Sequence, residues 1–131
     1  MEKDLLKLIN ASKDFAEKLL IDYKEFYPFG AIIDTSGKAK TVAYSKDDND
    51  FPESLTIING LTKHLDKRLN ENDILAYAIV YDAYIKEKGM DAICIQLKHR
   101  ESIENLTCYY CYKINTEGAL TYYEAWSERS N

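Results

Sequence analysis

The hydrophobic periodicity of the chain changes in a set order, and this order constrains the fold more than any other feature. Residues 3–26 repeat apolar side chains every three or four positions, which is the spacing of one face of an α-helix. Pro28 biases the residue before it away from helical geometry, so the helix is predicted to end just before Tyr27. The helical face consists of Leu5, Leu8, Ile9, Ser12, Phe15, Ala16, Leu19, Tyr23 and Phe26.

The next pattern predicts a β-hairpin and then a second helix. Residues 29–35 and 39–46 are β-prone runs on either side of a turn at Gly37, which can take the positive φ that such turns require. A polar loop follows, and Pro52 suits the first turn of a helix that is predicted to end within residues 70–73. The apolar stripe of this helix is Leu55, Ile58, Leu61, Leu65 and Leu69.

The remainder of the chain has the pattern of strands. Residues 74–85 and 90–99 are apolar and aromatic runs joined by a short turn, and residues 106–114 form a third run. The first run is long enough for a helix, but its β-branched and aromatic content favours a strand. After a turn at Gly118, residues 119–126 form either a last strand or a short helix.

The predicted order of elements is α-β-β-α-β-β-β, with the last strand or helix at the end. Strands in neighbouring hairpins usually pair, so residues 1–131 are expected to form a single α+β domain with an antiparallel sheet of five or six strands. The two amphipathic helices are expected to pack on one face of that sheet. This order resembles the roadblock and profilin-like layouts, but a shared layout does not imply a shared function.

Charge and composition exclude some partners. The 131 residues carry a formal net charge of −5, which argues against nucleic acid because such binding depends on Lys and Arg neutralising phosphates. The same charge permits a basic protein partner. No stretch approaches the roughly 20 apolar residues of a membrane span, and the charged start is unlike a secretory signal. Three cysteines, an odd number, favour the reducing cytoplasm.

Cys108 and Cys111 form the only pair of cysteines with a motif-like spacing. Residues three apart on a strand point to opposite faces, so these two sulfurs are expected to diverge and to have a structural role. Cys94 and His99 could complete a zinc set with them, but a second closely spaced ligand pair is missing. The sequence also lacks a glycine-rich phosphate loop. We therefore assign no metal, cofactor or catalytic residue.

Two carboxylates stand among apolar or aromatic residues. Asp82 lies inside the run of residues 78–84, where an unpaired charge is costly to bury. It marks either the point where the strand leaves the core, which we favour, or a site carboxylate. Glu124 poses the same question. The alternative function is therefore a small enzyme or ligand-binding domain with a cleft that uses Asp82, Glu124, His99 or Cys111.

Tyrosine is the strongest compositional outlier, with 11 residues in the chain, of which seven cluster in the C-terminal strands: Tyr77, Tyr81, Tyr109, Tyr110, Tyr112, Tyr122 and Tyr123. The adjacent pairs 109–110 and 122–123 must point to opposite faces, so one member packs under the helices and the other lies on an uncovered face. Uncovered tyrosines either stiffen the sheet by cross-strand packing or form an interface. The residues predicted to contact a protein partner are Tyr109, Tyr123 and Trp126, with Asp48 and Asp50 as an acidic rim.

Several short segments carry a resemblance to a known group of proteins. They are the sequence FYPFGA at residues 26–31, the pair Asp34 and Gly37, AIVYD at 78–82, and DAI at 91–93. In these segments the chain resembles small uncharacterised bacterial proteins, several of which resemble immunity proteins of toxin systems. The acidic charge, the aromatic-rich sheet face and the lack of a catalytic constellation favour a non-enzymatic cytoplasmic binding protein. With the resemblance, the expected form is an immunity protein that covers a basic toxin domain. A homodimer whose uncovered sheet faces pair is a further alternative.

Overall fold

The structure is a computed structural model that describes residues 1–43 and 53–130. Two helices and six strands follow one another in the predicted order, and the last run is a strand. The α+β class and the order of elements are therefore confirmed. The elements are α1 (Glu2–Tyr23), β1 (Phe29–Asp34), β2 (Ala39–Val42), α2 (Ser54–Asn70), β3 (Ile74–Ile85), β4 (Met90–His99), β5 (Asn105–Ile114) and β6 (Leu120–Ser130).

All six strands form one antiparallel sheet in the order β2-β1-β3-β4-β5-β6. The neighbours β3, β4, β5 and β6 are consecutive hairpins, as expected for sequential strands. The neighbouring strands β1 and β3 are instead joined by a longer connection, which contains β2 and α2. The sheet therefore has β2 at one edge and the eleven-residue strand β6 at the other.

Helix α1 ends earlier than its periodicity predicts. Lys24 takes a left-handed conformation with φ of 67°, and its N–H donates to the carbonyl of Leu20. This cap ends the helix at Tyr23, so the prediction that it reaches residue 26 is wrong. Tyr23 is 69% exposed rather than part of the apolar face, whereas Phe26 packs on Phe29 from the connecting segment.

The turn between β1 and β2 is formed as predicted. Gly37 has φ of 86°, and the Asp34 carboxylate accepts hydrogen bonds from the Ser36 and Lys38 backbone N–H groups and from the Ser36 hydroxyl. These bonds, led by the Ser36 hydroxyl, hold the pKa of Asp34 well below its usual value. The predicted residues 44–46 of the second strand and Pro52 lie outside the described residues.

The two helices pack on opposite faces of the sheet, so the expectation that they share one face is wrong. On β1, Ala31 and Ile33 pack in the cluster of α1, whereas Ile32 packs in the cluster of α2. On β3 the same alternation holds, with Ala78 toward α1 and Ile79 toward α2. The sheet is thus the middle of three layers.

The physical reason lies in the central strands. Residues Phe29–Ile33 are all buried, and successive side chains of a strand point to opposite faces. A single layer of helices would therefore leave half of these apolar side chains in water. A polar link also joins α2 to its face, since Asp66 accepts a hydrogen bond from the Tyr77 hydroxyl at 2.6 Å and pairs with Lys98 at 3.2 Å.

The buried stripe of α2 is shifted relative to the predicted one. Ile57, Leu61, Leu65 and Leu69 are buried, whereas Leu55 is 65% exposed. The prediction that Leu55 belongs to the stripe is wrong, and Ile58 is only partly buried against the cluster. Leu55 lies in the first turn of the helix, two positions before the first buried residue, Ile57.

Gly30 provides a test of this arrangement, because a Cβ atom at its position would lie 3.0 Å from Cδ1 of Leu65 in α2. We expect Gly30→Val to lower the free energy of unfolding by about 1–3 kcal/mol through overpacking against α2. Urea unfolding measures the loss. The matched control Ala39→Val, on the exposed edge strand β2, should change it by less than about 0.5 kcal/mol. Equal effects for the two variants would contradict the position of α2.

Candidate functional site

The face of the sheet that carries α1 is closed over β5 and β6. The Lys13 ammonium of α1 lies 4.5 Å from the ring centroids of both Tyr110 and Tyr122. The Tyr122 hydroxyl also donates to Glu17 of the same helix. One member of each tyrosine pair therefore packs under a helix, as predicted, and these contacts join α1 to the far strands.

The opposite face is covered by α2 only in part. Helix α2 packs on β1 and β3, and beyond them it reaches β4 through the Asp66–Lys98 pair. A separate cluster occupies the same face over β4, β5 and β6. We call its larger half-exposed or exposed side chains, together with Tyr123, the aromatic face: Tyr81, Met90, Tyr109, Tyr123 and Trp126.

A single cross-strand row forms the middle of the aromatic face. Tyr81 lies opposite Cys94, Cys94 opposite Tyr109, and Tyr109 opposite Trp126. The rings of Tyr109 and Trp126 stack at a centroid distance of 5.0 Å with an angle of 16°. This pair forms a flat, rigid platform, because aromatic rings on paired strands restrict each other's rotamers.

Charged groups border this platform. The Lys88 ammonium lies 5.7 Å from the Trp126 ring centroid and 2.6 Å from the Glu124 carboxylate. On the other side, the Tyr109 hydroxyl donates to Glu128 at 3.4 Å. Desolvation, followed by the Glu128 charge, raises the pKa of Tyr109 to about 12. At neutral pH the platform therefore presents the protonated phenol of Tyr109, with the charged groups of Lys88, Glu124 and Glu128 around it.

The structure places the three predicted aromatic contacts on one face. On β5 this face carries every second residue, namely Tyr109, Cys111 and Lys113. The Lys113 ammonium lies 5.8 Å from the centroid of the Tyr123 ring. Tyr123 is 55% exposed. The two predicted rim residues, Asp48 and Asp50, lie outside the described residues. The sequence did not point to Lys88, in the turn between β3 and β4, or to Met90, the first residue of β4, as parts of this surface.

Small residues form the floor of the aromatic face. Ala92, Cys94 and Cys111 are buried beneath the larger side chains around them. Cys108 packs instead in the cluster on the α1 side, so the predicted divergence of Cys108 and Cys111 is confirmed. Burial raises the pKa of all three thiols, that of Cys94 to about 12.

These thiols are expected to be unreactive in the folded protein. A raised pKa keeps a thiol protonated at pH 8, and the thiolate is the reacting form. With a chromogenic disulfide reagent at pH 8, we expect the folded protein in buffer to release negligible coloured thiolate from the reagent. In guanidinium chloride, we expect all three cysteines to react. Rapid reaction of one or two thiols in the folded protein would instead indicate an accessible thiolate and contradict the structural role.

His99 has a structural role at the other end of the sheet. Its side chain is 4% exposed, and its Nδ1 accepts a hydrogen bond from the Glu101 backbone N–H at 3.1 Å. The proton of the neutral ring therefore belongs on Nε2, which lies 2.8 Å from the Asp4 carboxylate. This bond joins the first turn of α1 to the end of β4, and both ring nitrogens are occupied.

The contribution of this bond can be measured on Asp4. We expect Asp4→Ala to lower the free energy of unfolding by about 1–3 kcal/mol, because the buried imidazole N–H loses its acceptor. Glu2→Ala is the matched control, since Glu2 is an exposed acidic residue in the same first turn. Glu2→Ala should lower the free energy of unfolding only by the helix-dipole effect of about 0.3–1 kcal/mol. Thermal or urea unfolding at pH 7 distinguishes the two, and indistinguishable losses would show that the bond contributes little.

A cleft of about 590 Å³ lies at the end of the sheet where the β3–β4 and β5–β6 hairpins meet. Asp82 lines it and accepts a hydrogen bond from the Tyr112 hydroxyl at 2.8 Å. Desolvation is the main cause of a raised pKa at Asp82, and the Asp91 and Glu25 charges add to it. Residues of β3 are buried up to Val80 and half-buried or exposed from Tyr81 onward. The strand thus leaves the core at Asp82, as we favoured from the sequence.

The four groups named as alternative site residues are not brought together. Glu124 and Cys111 belong to the aromatic face, whereas Asp82 and His99 lie on the α1 face. Asp82 pairs with Ile93, and His99 lies six positions further along β4, which separates them by about 20 Å. A single reaction centre cannot therefore use both Asp82 and His99. His64 is exposed on α2.

Three further findings complete the description. Within residues 1–43 and 53–130, no group of three or more His, Cys, Asp or Glu side chains is placed to hold a metal ion. No helix in these two ranges has the length and apolar character to cross a membrane. Comparisons with protein-family models, curated proteins and solved structures found no match.

Proposed function

We propose that this chain is a non-enzymatic protein-binding domain whose partner docks on the aromatic face. The observation that carries the proposal is the stacked Tyr109–Trp126 platform, half-exposed on the part of the sheet beyond α2. Tyr and Trp are the residues most often found as energetic anchors of interfaces, because they bury large areas at low entropic cost. The division of Asp82, Glu124, His99 and Cys111 between two faces of the sheet favours binding over catalysis.

The charges around the platform support a protein partner. A typical interface has an aromatic centre and a polar rim, and here Lys88, Glu124 and Glu128 surround the stacked rings. The floor of buried small residues makes the platform rigid before binding. A rigid platform loses little conformational entropy when a partner docks.

Within this class, the specific form that we propose is a cytoplasmic immunity protein that covers a basic toxin domain. The net charge of −5 favours long-range attraction of a cationic partner. The resemblance of residues 26–31 and 78–82 to immunity proteins leads to the same form. The odd number of cysteines, with Cys108 and Cys111 on opposite faces, suits a reducing compartment.

The proposal predicts that binding depends on the platform. The double variant Tyr109→Ser, Trp126→Ser should weaken a 1:1 complex with the purified partner by roughly 30-fold or more, since anchor residues contribute about 2 kcal/mol or more each. The partner is first sought by affinity capture from the source cells and as the product of the adjacent gene, and is then titrated by calorimetry. If it is a toxin, co-expression of the unsubstituted domain should restore growth and the double variant should not.

The control for this experiment is the double variant Tyr23→Ser, Tyr27→Ser. It removes two exposed tyrosines, 69% and 54% exposed, at the end of α1 and in the segment that follows it. It should bind like the unsubstituted domain. Equal weakening by both double variants, or none by either, would show that the aromatic face is not the docking surface.

Self-association is the second candidate, and the position of β6 favours it. This strand ends the sheet, so one edge of its backbone has no neighbouring strand among the described residues. The strand also carries Tyr123 and Trp126 of the aromatic face, so a second copy could cover both. Light scattering at high protein concentration distinguishes the cases, since a monomer would exclude the homodimer and leave the heterologous partner.

A further inference from the structure

We propose that the cleft at the hairpin end of the sheet binds an organic cation, a guanidinium or primary ammonium group on a short alkyl chain. The carboxylates of the cleft lie on the α1 side of the sheet, and of the aromatic-face residues only Met90 also lines the cleft. The proposal therefore does not depend on the function proposed above. It rests on the shape of the cleft, its unpaired carboxylates and its aromatic wall.

The cleft exists because the strands continue past the end of α1. The left-handed Lys24 ends the helix, whereas β3 extends to Ile85 and β4 begins at Met90. The strand ends beyond the helix thus lack its cover on this face. The volume of about 590 Å³ lies within the range of roughly 300–1,000 Å³ that is usual for small-ligand sites.

The carboxylates in the cleft have no compensating cation. Asp82 is half-buried, its recorded side-chain hydrogen bond is with the Tyr112 hydroxyl, and Asp91 lies directly opposite Tyr112 on the neighbouring strand. Within the described parts of the chain, neither carboxylate has a Lys, Arg or His nitrogen within 4.0 Å. A half-buried carboxylate without a counter-ion is costly, and a bound cation would lower that cost.

The two lysines that line the cleft are directed elsewhere. The Lys113 ammonium lies over the Tyr123 ring on the opposite face of the sheet. The Lys24 ammonium extends to Gly118 in the β5–β6 turn, where it lies 2.9 Å from the position that a Cβ atom would occupy. Neither lysine therefore neutralises Asp82 or Asp91. The position between the two carboxylates is left for a cation from outside.

Further features of the cleft select for a cation. Tyr84, which is 64% exposed, provides an aromatic wall on which a guanidinium can stack, whereas the ring of Tyr112 is buried beneath the cleft. The Glu25 charge adds to the negative potential at Asp82. A carboxylate pair beside an exposed tyrosine therefore favours an organic cation over an anion or a neutral ligand.

The test follows backbone amide shifts by NMR while three probes are added to the full chain. Agmatine represents a free small cation, N-acetyl-arginine amide represents a protein side chain, and N-acetyl-citrulline amide is the neutral isostere. We expect one or both cations to shift the amides of Asp82, Tyr84, Asp91 and Tyr112, and citrulline to have no effect. If agmatine alone binds, the ligand of the cleft is a free small molecule. If both cations bind, an arginine side chain of another protein is an equally suitable ligand.

Charge-neutral variants locate the interaction. Asp82→Asn keeps an oxygen that can accept from Tyr112 but removes the charge, and should weaken cation binding about tenfold or more. Asp91→Asn, at an exposed position, should weaken it as well and serves if Asp82→Asn fails to fold. Glu101→Gln removes an exposed charge at the opposite end of the sheet and should leave binding unchanged. Equal binding of citrulline, or unchanged binding in both aspartate variants, would overturn the proposal.

Discussion

Two central strands must bury both of their faces, and the position of each helix follows from that requirement. Every residue from Phe29 to Ile33 of β1 is buried, and β3 is buried at all positions from Ala76 to Val80. Each large apolar side chain contributes about 1.5–3 kcal/mol when it is removed from water, so an uncovered face of either strand would be costly. The helices α1 and α2 supply one cover each. Gly30 lets α2 approach β1, because any larger side chain would meet Leu65.

Both candidate sites arise because two helices cannot cover six strands on two faces. Strands about 4.8 Å apart make a six-stranded sheet roughly 24 Å wide, whereas a helix with its side chains is only about 10 Å across. Helix α2 lies over β1 and β3, which leaves the aromatic face over β4, β5 and β6. On the other side, α1 is joined to β5 and β6 by Lys13 and Glu17 but ends before the hairpin tips, which leaves the cleft.

Local patterns in the sequence predict the elements, because periodicity and turn chemistry act over a few residues. They also predict that Cys108 and Cys111 diverge and that tyrosine pairs divide between two faces, since both follow from alternation along a strand. The opposite positions of the helices were not predicted, although the consecutive apolar residues 74–81 contain the signal: strands buried on both faces lack alternation. The bond between Asp4 and His99 joins positions 95 residues apart, and no local pattern contains it.

Strand β5 connects the two candidate sites through its alternation. Tyr109 and Cys111 point to the aromatic face, whereas Tyr110 and Tyr112 point to α1 and the cleft. Neighbouring residues of this one strand thus serve different surfaces. The same geometry separates the roles of the tyrosines. Those that contact α1 hold the layers together, whereas Tyr109 stacks on Trp126 at a surface beyond α2. The fold does not require an aromatic pair at that position for helix packing, and this supports the proposed docking surface.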